Sequence, residues 1–511
     1  MRFSPSHLLV AALGLGIFDA ADASCSCWNK GLEACLRTKR IPYKVKCDAD
    51  WADYSRTPNL RLPFKPAAIA LPDTPQQVSQ AVRCAAQNNV KVQAKSGGNS
   101  YGAFSFGGKD GQLTIDLGKF NQTLLAADGV TAIVGGGVRL GSMAIDLYNQ
   151  NKRAISHGIC PSVGIGGHST HGGWGFTSRA WGLTLDHILE LEVVLANGTI
   201  VNASPDNHPD IFWAMRGAAD SIGIAISFKL RTQPAPEEVI NFTYEFRSVV
   251  DSVDVAVSTF YALQSYISNS TLVDRRLSFA LQTIANFAPN STNLHKAFLV
   301  EGTFLGSLAE YNTTIEPFML AGLPEPTQRH VESNGWLESL APLSPTGTLD
   351  TTSLFLDFFA NSVTIDDPGM SESALRSYFT YMLEGPETPT SYLSSMELWG
   401  GADSQINQPD AKGTDFAAFP HRNVFWTAHN LARVGPGEKF PAEGITWLNG
   451  LRKILIESAE VHTAAYPNLL DPTLSRYEAH HVYYGQEVLR RLKGIKRKVD
   501  PGKLFWNPHS I

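Results

Sequence analysis

A chain of 511 residues is longer than one hydrophobic core usually grows, so two domains of ordinary size are expected. Its formal charge of −6 without a long basic run excludes nucleic acid or an anionic membrane surface as the main partner. A small organic substrate fits this soluble, globular composition better.

Residues 1–23 read as a secretory signal: Arg2, an apolar stretch from Leu8 to Phe18, and a small-x-small cleavage site at Ala21-Asp22-Ala23. The apolar stretch is too short to span a bilayer. Secretion is expected, and the sequons at Asn121, Asn197, Asn202, Asn241, Asn269, Asn290 and Asn312 agree with that route. Residues 24–62 form a lead-in. Of the six cysteines, Cys25, Cys27, Cys35 and Cys47 crowd the new N-terminus, where a bridge would tie down a mobile end. Cys160 stands far beyond Cys84 in a glycine-rich segment, so it is a candidate for chemistry rather than for a staple.

Ala67 to Leu71 predicts a buried strand. Thr74-Pro75-Gln76-Gln77 then opens a helix, with Thr74 as cap, Pro75 at the first position and Gln77 completing a capping box. Val90 to Ala94 is the next strand, and it runs into Lys95-Ser96-Gly97-Gly98-Asn99-Ser100. More glycine and the strand Leu113 to Leu117 follow where a dinucleotide fold of the Rossmann type would need a helix. Further on come a strand at Ala132 to Val134, a helix around Ser142 to Asn149, and a hairpin from Leu191 to Val201 turning at Asn197-Gly198.

Proline and acidic residues at Pro234 to Glu238 mark the exit from a first domain over 63–235. A second domain over 236–462 is expected to carry strands at Ser278 to Ile284 and Ala297 to Gly302. Residues 463–511 contain a basic helix, Val488 to Lys498, and are expected to return to the first domain. The predicted fold class is α+β.

Of the 43 glycines, 20 lie between Gly97 and Gly182. Glycine permits positive φ and close approach of a ligand to the main chain, so successive N–H groups can form a nest for anionic oxygens. Loops at Ser96 to Ser100 and Gly164 to His168 suggest a diphosphate gripped from both sides; a β-rich domain with tight turns is the other reading. His157, His168 and His171 do not suggest a metal site, since their spacing is irregular and no carboxylate cluster accompanies them.

The order of motifs separates these readings. Lys95 to Tyr101, Gly135-Gly136-Gly137, Ser156 to His168, Gly172-Gly173-Trp174-Gly175, Leu183-Thr184-Leu185-Asp186 and Phe212 to Gly217 resemble the PCMH-type FAD domain of the vanillyl-alcohol-oxidase superfamily. The nearest branch resembles the berberine-bridge-enzyme-like oxidases, including the fungal oligosaccharide oxidases. Phe419-Pro420-His421-Arg422, Tyr483-Tyr484-Gly485 and the ending Asp500 to Ile511 are similar to that branch as well.

The resemblance implies a two-domain fold, with a PCMH-type FAD-binding domain and a separate antiparallel-sheet substrate domain. It implies FAD held by Ser96, Gly97, Gly98, Asn99, Ser100, Gly164, Gly166, Gly167, His168 and Gly173. Many members bind the flavin covalently through a histidine and a cysteine. Here the cysteine is Cys160, but the histidine position is Asn99, whose amide nitrogen is not nucleophilic, so any link is expected through Cys160 alone, with a buried free thiol as the other reading. The family's proton-abstracting tyrosine falls at Leu469, which cannot take a proton. Its assisting carboxylate aligns with Glu397, for which a solvated strand-end acid is the other reading. Tyr466 would face the other way on a strand and is not expected to be the base.

The implied activity is FAD-linked oxidation of an organic substrate in specialised metabolism, with dioxygen or another electron acceptor. Three alternatives stay open. An oligosaccharide oxidase would reduce its flavin with a reducing-end sugar, an isomerase or cyclase would keep its flavin oxidised, and a silent binding protein would turn nothing over.

Overall fold

The computed structural model describes residues 29–287, 294–408 and 415–511. The expected leader, Cys25, Cys27 and the sequon at Asn290 lie outside the described residues. Among those described, no helix is long and apolar enough to cross a membrane.

The first layer is a four-stranded sheet in the order Tyr43–Lys44, Ala68–Ala70, Leu113–Asp116, Val92–Lys95. The last three strands run parallel. Helix Pro75–Gln87 crosses between two of them and buries Val78, Ala81, Val82 and Ala85 with Val92, Leu113 and Ile115. Thr74 accepts from the Gln77 N–H, as expected for its cap. The Gln77 side chain, however, accepts from the N–H of Asp73, not of Thr74, so the box closes one residue earlier than predicted. A disulfide from Cys35 to Cys84, Cα–Cα 5.6 Å, ties helix Lys30–Thr38 to this crossover helix.

A five-stranded antiparallel sheet follows, in the order Thr123–Leu125, Thr131–Gly135, Ile224–Arg231, Ile188–Val194, Ile200–Ala203. Its predicted hairpin is present, but Gly198 has φ +78° and Asn197 does not take a positive φ. Leu195 accepts from the Gly198 N–H and donates to the Thr199 carbonyl. The chain therefore turns through a longer loop with one left-handed residue, where a two-residue type I′ turn would need two.

The largest layer is an eight-stranded antiparallel sheet that begins at Val239 and takes in the hairpin Leu277–Phe287 and Leu294–Phe304. Because side chains alternate along a strand, it has two different faces. Phe242, Tyr244, Phe279, Leu281, Val300, Val363, Met396 and Trp426 form one apolar face. It packs on helices Val253–Ser268, Glu372–Glu384 and Ala442–Ser458. The alternate residues, Ser278, Thr303, Thr364, Glu397 and Thr427, are polar yet buried. This polar face looks toward the glycine-rich half, where Trp174 Nε1 donates to the Leu398 carbonyl at 3.2 Å and Arg179 donates to the Gly400 carbonyl at 2.9 Å.

The chain then returns to the first sheet. Helix Arg476–Val499 breaks at Gly485, φ +64°, and the tail pairs with the edge strand, since Val92 N–H donates to the Leu504 carbonyl at 2.9 Å. Lys496, 4% exposed, fastens the tail: its Nζ donates to Asp500 at 2.7 Å, to the Phe505 carbonyl at 2.8 Å and to the Ser221 carbonyl at 2.5 Å.

Candidate active site

The two glycine loops lie against each other. A Cβ on Gly97 would fall 2.3 Å from the Gly164 nitrogen, and one on Gly164 would fall 2.1 Å from the Gly97 nitrogen. Only glycine permits this approach. Ser96 Oγ accepts from the Gly166 N–H at 3.2 Å and closes the junction.

Among the described residues, none accepts from the backbone N–H groups of Gly97, Gly98, Asn99, Ser100 or Gly167. A Cβ on Gly167 would meet nothing within 4 Å. Free donors bordering open space make a receptor for anionic oxygens. Beside it lies a cavity of about 380 Å³ lined by Lys95, Ser96, Asp116, Gly137, Arg139 and Ser142. This donor set fits a cofactor carrying a diphosphate.

Asn99 and Cys160 meet through Ser162. Asn99 Nδ2 donates to the Ser162 carbonyl at 2.6 Å and lies 3.3 Å from its Oγ, which is 3.4 Å from Cys160 Sγ. Cys160 is a free, half-buried thiol. His168 turns the other way: its Nε2 accepts from the Gly158 N–H at 3.0 Å, and burial, then nearby His157, push its pKa down to about 3. Gly173, φ +88°, donates to the Tyr466 hydroxyl at 2.8 Å, and a Cβ there would strike Thr184 Oγ1 at 2.4 Å. The His168 ring and the Gly173 N–H are thus spent on bracing the second loop.

Glu397 is 8% exposed, so the solvated strand-end reading does not hold. Its Oε1 lies 3.4 Å from His429 Nδ1, and its Oε2 is buried with no hydrogen-bond partner among the described residues. His429 Nε2 in turn lies 3.3 Å from the Tyr101 hydroxyl. Burial, then the charges of Cys160 and Glu397, hold the Tyr101 phenol well above its ordinary pKa.

Leu469 is buried and belongs to the same large apolar cluster as Trp399 and Phe419. Tyr466 lies in the irregular segment after Thr463–Ala464, not on a strand as supposed. Its hydroxyl accepts from the N–H groups of Gly173 and Trp174 at 2.8 and 3.1 Å and from Asn468 Nδ2 at 2.9 Å. Burial pushes its pKa up to about 12.

Two distant motifs also meet: Arg422 pairs with Asp186 at 2.8 Å, with both side chains nearly buried. Tyr101 and His429 are the residues that sequence reasoning passed over. The signal was available in Val424-Phe425-Trp426-Thr427-Ala428-His429, where Trp426 and Ala428 alternate with Thr427 and His429. Had this strand been paired with the one carrying Glu397, one polar face would have emerged.

Residues 66–204 match the family described as FAD binding domain, and residues 465–511 match the family described as berberine and berberine like. The chain is 32% identical to a xylooligosaccharide oxidase of Thermothelomyces thermophilus, covering 99% of both chains. It is 34% identical to the FAD-linked oxidoreductase dpmaF of Metarhizium anisopliae, over 94% of this chain and 91% of that one. Among solved structures it is similar to the glucooligosaccharide oxidase of Acremonium strictum with 6-S-cysteinyl, 8α-N1-histidyl FAD. There the TM-score is 0.84 at 28% identity, over 94% of this chain and 99% of that one.

Proposed function

Because the chain belongs to the berberine-bridge-enzyme-like family of FAD-linked oxidoreductases, we propose that it is a secreted member oxidising a hydroxyl-bearing specialised metabolite, its flavin tethered by Cys160 alone. FAD held there would supply an acceptor for a hydride from the substrate carbon and a route for the electrons to dioxygen or another acceptor. Gly97, Gly98, Asn99, Ser100 and Gly167 hold the diphosphate through their main-chain N–H groups, with Ser96, Gly164 and Gly166 closing the junction of the two loops and His168 and Gly173 bracing them. Residues 63–235 with 463–511 act as the FAD-binding domain, and 236–462 act as the substrate domain. The Cys35–Cys84 disulfide suits an oxidising compartment.

The observation that carries the choice of substrate class is Leu469, buried among apolar side chains where the sugar oxidases of the family keep a tyrosine base. The second reading, an oligosaccharide oxidase, draws support from the relatives named for xylo- and glucooligosaccharides.

Anaerobic mixing with a panel of xylobiose, cellobiose, chitobiose, cinnamyl alcohol, geraniol and polyketide alcohols decides between them. Bleaching of the flavin absorbance by a non-sugar alcohol is expected. Bleaching by a disaccharide alone would establish the second reading, and turnover of a substrate without bleaching would point to an isomerase or cyclase.

A further inference from the structure

We propose that Tyr101, His429 and Glu397 form a proton relay that removes the hydroxyl proton of the substrate, taking over the task that Leu469 cannot perform. The inference rests on the oxidation just proposed and adds the residues that carry its proton.

Two separate parts of the chain build the array. Glu397 pairs in register with Thr427, so His429, two residues on, is its diagonal neighbour on the same face, within reach of a long side chain. Tyr101 arrives from the opposite side, directly after the loop Ser96–Ser100. Its ring lies edge-on to Phe358, centroids 5.1 Å apart, and its carbonyl accepts from Asn59 Nδ2 at 2.8 Å. The phenol is therefore positioned by packing and by its own main chain.

The donor sequence follows from what each atom can do. In the relay the Tyr101 hydroxyl donates to His429 Nε2, 3.3 Å away, which places the imidazole proton on Nδ1, 3.4 Å from Glu397 Oε1. Both separations are long, as catalytic contacts often are before substrate is bound. The array is not sealed, since the His429 and Glu397 side chains remain 15% and 11% exposed. Glu397 Oε2, buried with no partner among the described residues, leaves the carboxylate with capacity to stabilise a cation beside it.

The perturbed phenol decides between a standing base and a relay. Burial and neighbouring negative charge disfavour a Tyr101 phenolate, so Tyr101 works by giving up its proton as it takes another. The substrate O–H bond breaks, and its proton moves to the Tyr101 oxygen. The phenolic proton passes to His429 Nε2, and the imidazolium pairs with the Glu397 carboxylate. The hydrogen on the same substrate carbon would leave with its electron pair to FAD held by the glycine loops, so that the alcohol would become a carbonyl as the flavin takes two electrons. The imidazolium releases its proton to solvent before the next turnover. Tyr101 is the catalytic residue; His429 and Glu397 act through it.

Histidine-labelled, FAD-loaded protein provides the test. ¹⁵N spectra of the resting enzyme are expected to show His429 protonated on Nδ1. Tyr101→Phe should move the Nε2 resonance, and Glu397→Gln should raise the share of the Nε2–H tautomer. A wild-type proton on Nε2, or an Nε2 signal unmoved in Tyr101→Phe, overturns the relay. These readings need no substrate, so they are independent of the bleaching panel that tests the oxidation itself. With the panel compound that bleaches the wild type, Tyr101→Phe and His429→Asn should slow flavin reduction at saturation by about 10²–10⁴-fold, with KM little changed. A change in KM alone, or none at all, counts equally against it.

Discussion

Replacing Tyr466 by phenylalanine separates a structural tyrosine from a catalytic one. The substitution removes one oxygen, which accepts from the N–H groups of Gly173 and Trp174 and from Asn468 Nδ2. Asn468 keeps a second acceptor in the His168 carbonyl at 2.9 Å, so two buried main-chain donors are left orphaned. At ~1–3 kcal/mol for each unsatisfied donor, the expected loss is about 3 kcal/mol if the surrounding chain relaxes partly. Thermal unfolding, followed by tryptophan fluorescence and by release of flavin fluorescence, should show a clear fall in the midpoint. Flavin reduction in the folded variant should not suffer the loss of about 10²-fold or more that removal of a general base brings. A variant as stable as the wild type but unable to reduce its flavin would refute the structural assignment and make Tyr466 the base.

Lys496→Met leaves the Asp500 carboxylate buried without its ammonium; it should cost about 3–5 kcal/mol and raise hydrogen exchange over residues 500–511, whereas unchanged exchange would contradict the fastening role. Burial pushes His168 down to about 3 and His421 down to about 4. Below pH ~6.5 the unfolded chain binds protons that the folded chain refuses, so stability falls as pH drops from about 6.5 toward 4, by ~1.4 kcal/mol per pH unit for each histidine. His421→Gln should flatten that slope in pH-dependent unfolding, and an unaltered slope would remove His421 from the account. Asn99→His, placed in a Cys160→Ser background, should restore an acid-stable flavin by supplying the nucleophile that the first loop lacks; continued release of the flavin would show that the loop does not present residue 99 to the ring.

The first layer was legible because its signals are local. The Leu113–Asp116 and Val92–Lys95 strands and the helix opening at Pro75 follow from short apolar patterns and a cap, and the glycine loops from density alone. Errors arose where a local rule was decided by something nearby. Gln77 found the Asp73 N–H before that of Thr74, and the loop at Asn197-Gly198 closed on Leu195 and Thr199. The catalytic side was hardest to read, because Glu397 and His429 are neighbours only through strand register, and Tyr101 joins them from a loop over 290 residues away in sequence. No motif records such a meeting. The strand periodicity that argues against Tyr466 as the base does not apply in its irregular segment, where its hydroxyl is instead occupied by the Gly173 and Trp174 main-chain donors.

The most direct test of the central claim is an absorbance spectrum of the purified protein before and after acid precipitation, beside Cys160→Ser. A flavin spectrum is expected whose yellow colour stays with the wild-type precipitate and leaves that of the variant. A protein that is colourless and cannot be loaded with FAD would contradict it.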